Sequence, residues 1–131
     1  MLLQEYFTEI RGTGIMATAA GSGEVTTAIY AKPHIMDDNS LAFIMRERLT
    51  YAHLKENDQA NYMFIEQGPG FKGLRLFLRK IDESDDPELI AAMTRRHLSP
   101  QEDAAKGPKH LVRFQVLKVL PLVGDGPPPV D

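Results

Sequence analysis

Two segments of this chain alternate with a period of two residues, and a glycine turn leads into each. Val25 to Lys32 places Val25, Thr27, Ile29 and Ala31 on one face and Thr26, Ala28, Tyr30 and Lys32 on the other. Lys72 to Ile81 sets Leu74, Leu76 and Leu78 against Arg75, Phe77 and Arg79. Two is the period of a β-strand, whose side chains point alternately to opposite faces. The turns are Gly21-Ser22-Gly23 and Gly68-Pro69-Gly70, and each follows another apolar run, Gly14 to Ala20 and Ala60 to Glu66. Strand, glycine turn, strand is a hairpin, so the chain is committed to a mostly antiparallel sheet.

The remaining elements fit around these hairpins. Leu3, Tyr6, Phe7 and Ile10 recur at helical spacing, and Gly12 and Gly14 stop that helix. Pro33 ends or kinks the second strand, and Ile35-Met36 leads to a turn at Asp37 to Ser40. Leu41 to Met45 is an apolar strand. A short helical pattern follows, with Thr50 as its expected N-cap. Asp86-Pro87-Glu88 opens a helix through about His97, with proline early, where its missing N–H costs nothing. Leu98 to Lys109 reads as polar loop, and His110 to Leu120 as the last strand. From Gly124 the proline-rich end reads as a mobile tail. The expected class is mainly β (α+β): six antiparallel strands closing into a small barrel, with two or three peripheral helices. Irregular alternation of strands and helices disfavours a doubly wound α/β fold. The expected division is one domain over 1–123 and a tail over 124–131.

Composition narrows the chemistry. At 131 residues, with 43% hydrophobic and 25% charged side chains, the chain suits one soluble domain with one core. A net charge of -3 gives no basic footprint for nucleic acid. The absence of cysteine excludes disulfides, thiolate metal sites and thiol nucleophiles. The N-terminal segment carries Glu5 and Glu9 in a helical pattern, unlike a signal peptide, and no apolar run reaches membrane-spanning length. A cytoplasmic protein is expected.

Most motifs have a plain structural reading. Gly68-Pro69-Gly70-Phe71-Lys72-Gly73 matches G-x-G-x-x-G, but a dinucleotide fingerprint opens a helix and a period-two strand follows here. Lys72 remains able to point at a bound anion. His34, His53, His97 and His110 lack metal-ligand spacing. No serine sits in a nucleophile elbow. The acidic run Asp82, Glu83, Asp85 and Asp86 reads as a solvated helix start, and Arg95-Arg96-His97 as its basic counterpart. No nucleophile stands beside a base, so any chemistry is brought by a cofactor.

The segment Leu41 to Asp58 carries the strongest functional signal. Its strand delivers Arg46 and Arg48, two apart and hence expected on one face, next to a helix start. Forked guanidiniums beside free helix N–H groups make a phosphate site. A solvated strand end, with Glu47 and Glu56 offsetting the arginines, is the other reading of the stretch taken alone.

The succession GIMATAAGSGEVTTAIYAKP, NSLAFIMRERLTYAHLKEND and ANYMFIE resembles the pyridoxamine 5′-phosphate oxidase-like, FMN-binding split-barrel family. The resemblance covers about Gly14 to Ile81. It implies a split barrel that binds FMN, commonly as a homodimer with the cofactor at the interface. It implies a flavoprotein used as an oxidoreductase or in electron transfer, or a non-enzymatic flavin- or haem-binding protein of the same fold. The implied cofactor contacts are Ile29, Tyr30 and Ala31 along the flavin ring, and Met45, Arg46, Arg48, Leu49 and Thr50 around the phosphate. Lys72 is a further cationic candidate. Thr50 stands where the family usually has lysine, and His53-Leu54 where Asn-Leu is usual. The C-terminal arginine- and tryptophan-containing segment of true pyridoxamine phosphate oxidases is absent, so vitamin B6 oxidation is not implied.

Overall fold

The computed structural model describes residues 1–95 and 98–131. In chain order the elements are α1 (Leu3–Glu9), β1 (Gly12–Ala19), β2 (Val25–Tyr30), β3 (His34–Ile35), β4 (Leu41–Arg46), α2 (Leu49–Glu56), β5 (Gln59–Glu66), β6 (Gly73–Ser84), α3 (Pro87–Met93), α4 (Pro100–Ala105) and β7 (Lys109–Pro121). One sheet runs β2-β1-β5-β6-β7-β4-β3, and every described pairing is antiparallel. The expected hairpins β1–β2 and β5–β6 are both present. No described helix is long and apolar enough to cross a membrane.

The sheet curls until distant strands meet. Phe43 on β4 and Tyr62 on β5 have ring centroids 5.0 Å apart, although β6 and β7 separate those strands in the sheet. Tyr30 on the edge strand β2 reaches Phe43 at 6.2 Å, edge to face. β2 and β4 approach there without a shared ladder, which leaves the barrel split. Met16, Leu41, Tyr62, Phe64, Leu74, Leu76, Leu78, Val112 and Phe114 are fully buried inside it. Helix α1 closes one end with Phe7 against Phe64 at 5.3 Å.

Seven strands, not six, make the sheet. The extra one, β3, pairs His34 with Ala42 and Ile35 with Leu41. Its turn is tightly held: Asp38 Oδ1 accepts from the Ser40 amide at 3.0 Å and hydroxyl at 2.6 Å, and Asn39 takes φ 67°. Asparagine tolerates that left-handed conformation better than most residues. There are four helices among the described residues. The fourth, α4, lies in the span read as loop; Ser99 caps it by accepting from the Glu102 amide at 3.2 Å, with proline at the first turn. Helix α3 ends at Met93, and Arg96 and His97 lie outside the described residues. Helix α2 starts at Leu49 with Arg48 in the cap position, so Thr50 is inside the first turn rather than the cap.

Packing engages both the acidic run and the C-terminal end. The acidic run does open α3, with Asp82, Asp85 and Asp86 exposed, and its carboxylates also have partners. Asp82 binds Arg113 at 2.7 Å, Glu83 accepts from the Tyr51 hydroxyl at 3.0 Å, Asp85 meets His110, and Asp86 caps α3. The last residues are docked at their end: Val130 is only 7% exposed within the main core cluster, and the Asp131 amide donates to the Met1 carbonyl at 3.0 Å.

Candidate functional site

The split in the barrel opens as a cleft of about 380 Å³. One wall is the end of β2, Tyr30 and Ala31, continuing into Lys32. Phe43, Ile44 and Arg46 of β4 form another, and the turn into α2 adds Arg48. Met93, Thr94 and Arg95 at the end of α3, with Lys106 and Lys109 around the start of β7, complete it.

The β2 wall is set by a shared hydroxyl. The Tyr62 O–H points from the core at the carbonyls of Tyr30 and Ala31, 3.2 and 3.1 Å away. Gly14 makes room for it, because a Cβ there would sit 1.8 Å from the Tyr62 oxygen. Burial raises the Tyr30 phenol pKa, while a hydrogen bond with Thr50 and the charge of Arg48 pull it down. Tyr30, Thr50 and Arg48 therefore form one neighbourhood, joining β2 to the start of α2.

The arginines are held differently from each other. The chain turns after Arg46, with the Arg48 amide donating to the Arg46 carbonyl at 2.8 Å, so the expected common strand face does not exist. Both side chains still line the cleft. Arg46 is already engaged by Asp103, at 2.7 Å, and by the Gly107 carbonyl at 2.5 Å. Arg48 is exposed and has no carboxylate partner among the described residues. Helix α2 has no side-chain cap, and its first intrahelical bond runs from the Ala52 amide to the Arg48 carbonyl at 3.0 Å. The amides before Ala52 thus have no intrahelical acceptor.

Six cationic side chains line this cleft, Lys32, Arg46, Arg48, Arg95, Lys106 and Lys109, and among the described residues no carboxylate does. Lys109 pairs with Asp103 at 3.0 Å, and Arg95 donates to the carbonyls of Lys32 and Pro33. Burial and then the Arg95 charge lower the His34 pKa below its ordinary 6.5, which disfavours a charge on that ring.

Of the sequence candidates, Tyr30, Ala31, Arg46 and Arg48 come together in the cleft. Thr50 is buried behind them at 3% exposure. Ile29 points outward, 72% exposed, because alternation puts it opposite Tyr30. Met45 is wholly in the core, and Leu49 is half-exposed at the start of α2. Lys72 lies elsewhere, in a shallow cleft with Glu66, Pro121 and Val123. Lys32, Phe43, Arg95, Lys106 and Lys109 are additions. Lys32, two residues past the end of β2, could have been found by continuing the alternation from Tyr30; the others have no local signature.

No family model matches the chain, and no curated protein sequence does. Solved structures do. An FMN-binding protein from Syntrophomonas wolfei subsp. wolfei superposes with a TM-score of 0.74 at 17% identity, covering 92% of this chain and 84% of that one. HupZ of Group A Streptococcus gives 0.70 at 15% identity, over 97% and 99%. A protein assigned as a pyridoxamine 5′-phosphate oxidase from Lactobacillus delbrueckii gives 0.63 at 11%, over 89% of each chain. At such identities the likeness carries the fold alone: the chain shares the split-barrel fold of these structures.

Proposed function

We propose that this chain binds FMN in the split of its barrel and serves as an oxidoreductase or electron-transfer protein. The observation that carries the reading is a cationic cleft with no carboxylate in its described walls, set beside aromatic side chains and free helix amides. The residues fit the cofactor's two parts. Arg48, the α2 amides and Lys106 suit a phosphate dianion. Tyr30, Phe43 and Ile44 suit a planar apolar ring, with the Ala31 backbone along its edge. Bound flavin supplies hydride and electron transfer; the protein's own contribution is to orient the ring against β2 and to shield it from water. The exposed β2 side chains Val25 and Ile29, 74% and 72% exposed, suit burial against a second copy, which supports a homodimer with the flavin at the interface.

The test is titration of FMN and riboflavin into the flavin-free wild type and Arg48→Ala. A charge-assisted hydrogen bond is worth roughly 1.5–3 kcal/mol. Arg48→Ala should therefore weaken FMN about tenfold to a hundredfold and riboflavin far less, since riboflavin lacks the phosphate. Equal losses for both ligands would move the phosphate away from Arg48. Failure of the wild type to bind either flavin would end the reading.

A further inference from the structure

His110, near the start of β7, is 7% exposed. Its ring stacks on Tyr51 with centroids 4.5 Å apart and planes 11° apart. Both ring nitrogens face carboxylates: Nε2 lies 2.8 Å from Glu47 Oε2, and Nδ1 meets Asp85 Oδ1. A neutral imidazole has one N–H, so it could donate to one carboxylate while aiming a lone pair at the other. An imidazolium donates to both.

The two carboxylates lie on segments that frame the cleft. Glu47 stands between Arg46 and Arg48 in the turn from β4 to α2. Asp85 lies in the link from β6 to α3, the helix whose end lines the opposite wall. One proton on His110 thus ties both segments to the barrel.

We infer that His110 is a positioning residue for the anion site: as an imidazolium it holds Glu47 and Asp85 at once and so aims Arg48, and loss of one proton leaves a single N–H that cannot hold both, which loosens the arginine turn. The clamp rests on geometry alone; its effect on a ligand rests on the flavin reading above.

The surroundings decide the direction of the titration. Burial against Tyr51 disfavours the charged ring, while the hydrogen bonds to Asp85 and Glu47 and the nearby Glu83 favour it. The result is a pKa above the ordinary 6.5. Glu83 is itself shared by Lys55, at 2.5 Å, and Lys80, at 3.6 Å, which limits its pull. On the other side, Lys109 is occupied by Asp103. With the folded value raised, the clamp is complete below pH 6.5 and is lost as pH rises through the folded value.

The experiment uses the whole chain and two readouts. Ring ¹⁵N–¹H spectra report the protonation of His110, and backbone amide shifts of Glu47, Arg48 and Leu49 report the turn. The His110 midpoint should lie above the ordinary 6.5, both ring nitrogens should be protonated below it, and the three amides should titrate with it. Glu47→Gln should lower that midpoint and uncouple the amides from it. Asp85→Asn should lower the midpoint too. FMN affinity should fall roughly threefold to tenfold as pH rises through the midpoint, at pH values where its phosphate is already a dianion. Glu47→Gln should flatten that profile. A His110 midpoint at or below 6.5 would overturn the inference, as would amides that ignore its titration. If FMN binds at no pH while the amides still follow His110, the flavin reading falls and the clamp stands.

Discussion

The Arg46 guanidinium grips Asp103, 57 residues further along the chain, at 2.7 Å, and also donates to the Asp103 and Gly107 carbonyls. It therefore fastens α4 and the loop after it to the end of β4. That separates two arginines which stand two positions apart in the sequence. Arg46 holds a wall of the cleft, while Arg48 is free to meet a ligand. Arg46→Ala should lower stability by about 1–2 kcal/mol, because a half-buried charged donor leaves two carbonyls and a carboxylate behind. Arg48→Ala should change stability by less than about 1 kcal/mol. Chemical denaturation of the two ligand-free variants reads the difference, and equal effects would contradict the division of labour.

Tyr62 and Gly14 set the β2 wall together. Tyr62→Phe keeps the ring in the core but leaves the carbonyls of Tyr30 and Ala31 without its hydroxyl. The expected cost is about 1–2 kcal/mol. Gly14→Ala forces a methyl against the Tyr62 oxygen and to within 2.6 Å of the Tyr30 carbonyl, which should cost about 1–3 kcal/mol. Because one clash is with the hydroxyl itself, the alanine should cost less in the Tyr62→Phe background. Strict additivity in that double-mutant cycle would show that the two residues do not act as a pair.

The docked C-terminal end makes a third prediction. Removing residues 124–131 takes Val130 out of the core cluster and the Gly124 carbonyl away from Arg75. Burying a valine side chain is worth about 1.5–3 kcal/mol. The truncated chain should therefore melt several degrees lower, and Val130→Ala should reproduce a good part of the loss. An unchanged melting temperature would mean that the end is a dispensable tail after all.

Acid should loosen the turn between β3 and β4. Hydrogen bonds from the Ser40 hydroxyl and amide, and then the Arg113 guanidinium, hold the Asp38 carboxyl at about 2, below its ordinary 3.8. A depressed carboxylate contributes stability that is complete above the unfolded value and is lost as pH falls through the folded one. The contribution of Asp38 should thus fade between pH 3.8 and about 2. Asp82, also lowered by Arg113, should follow in the same direction. Carboxyl chemical shifts across that range test it, and an Asp38 midpoint at 3.8 would show that Ser40 does not hold it.

The antiparallel sheet was legible in the sequence because its signals are local. Leu74, Leu76 and Leu78 alternate within one strand, and all three are fully buried. Glycines at the turns act over a few bonds, and Gly68 and Gly70 do take positive φ. The nearness of Tyr30, Arg46 and Arg48 to one cleft was legible too, through resemblance to a family that shares this curl. The rest depends on which distant segments the curl brings together. Alternation along β2 defines two faces but not which one is buried; the approach of Phe43 across the split turns Tyr30 inward and leaves Val25 and Ile29 outside. Arg95, Lys106 and Lys109 reach the cleft only because α3, α4 and β7 return to it. The partners of His110 lie 63 and 25 residues away, so no spacing rule could have disclosed that it is held between two carboxylates. Period and turn chemistry are properties of neighbouring bonds, which the sequence by itself determines; charge pairing and the shape of the cleft are set by long-range closure, which only the tertiary structure decides.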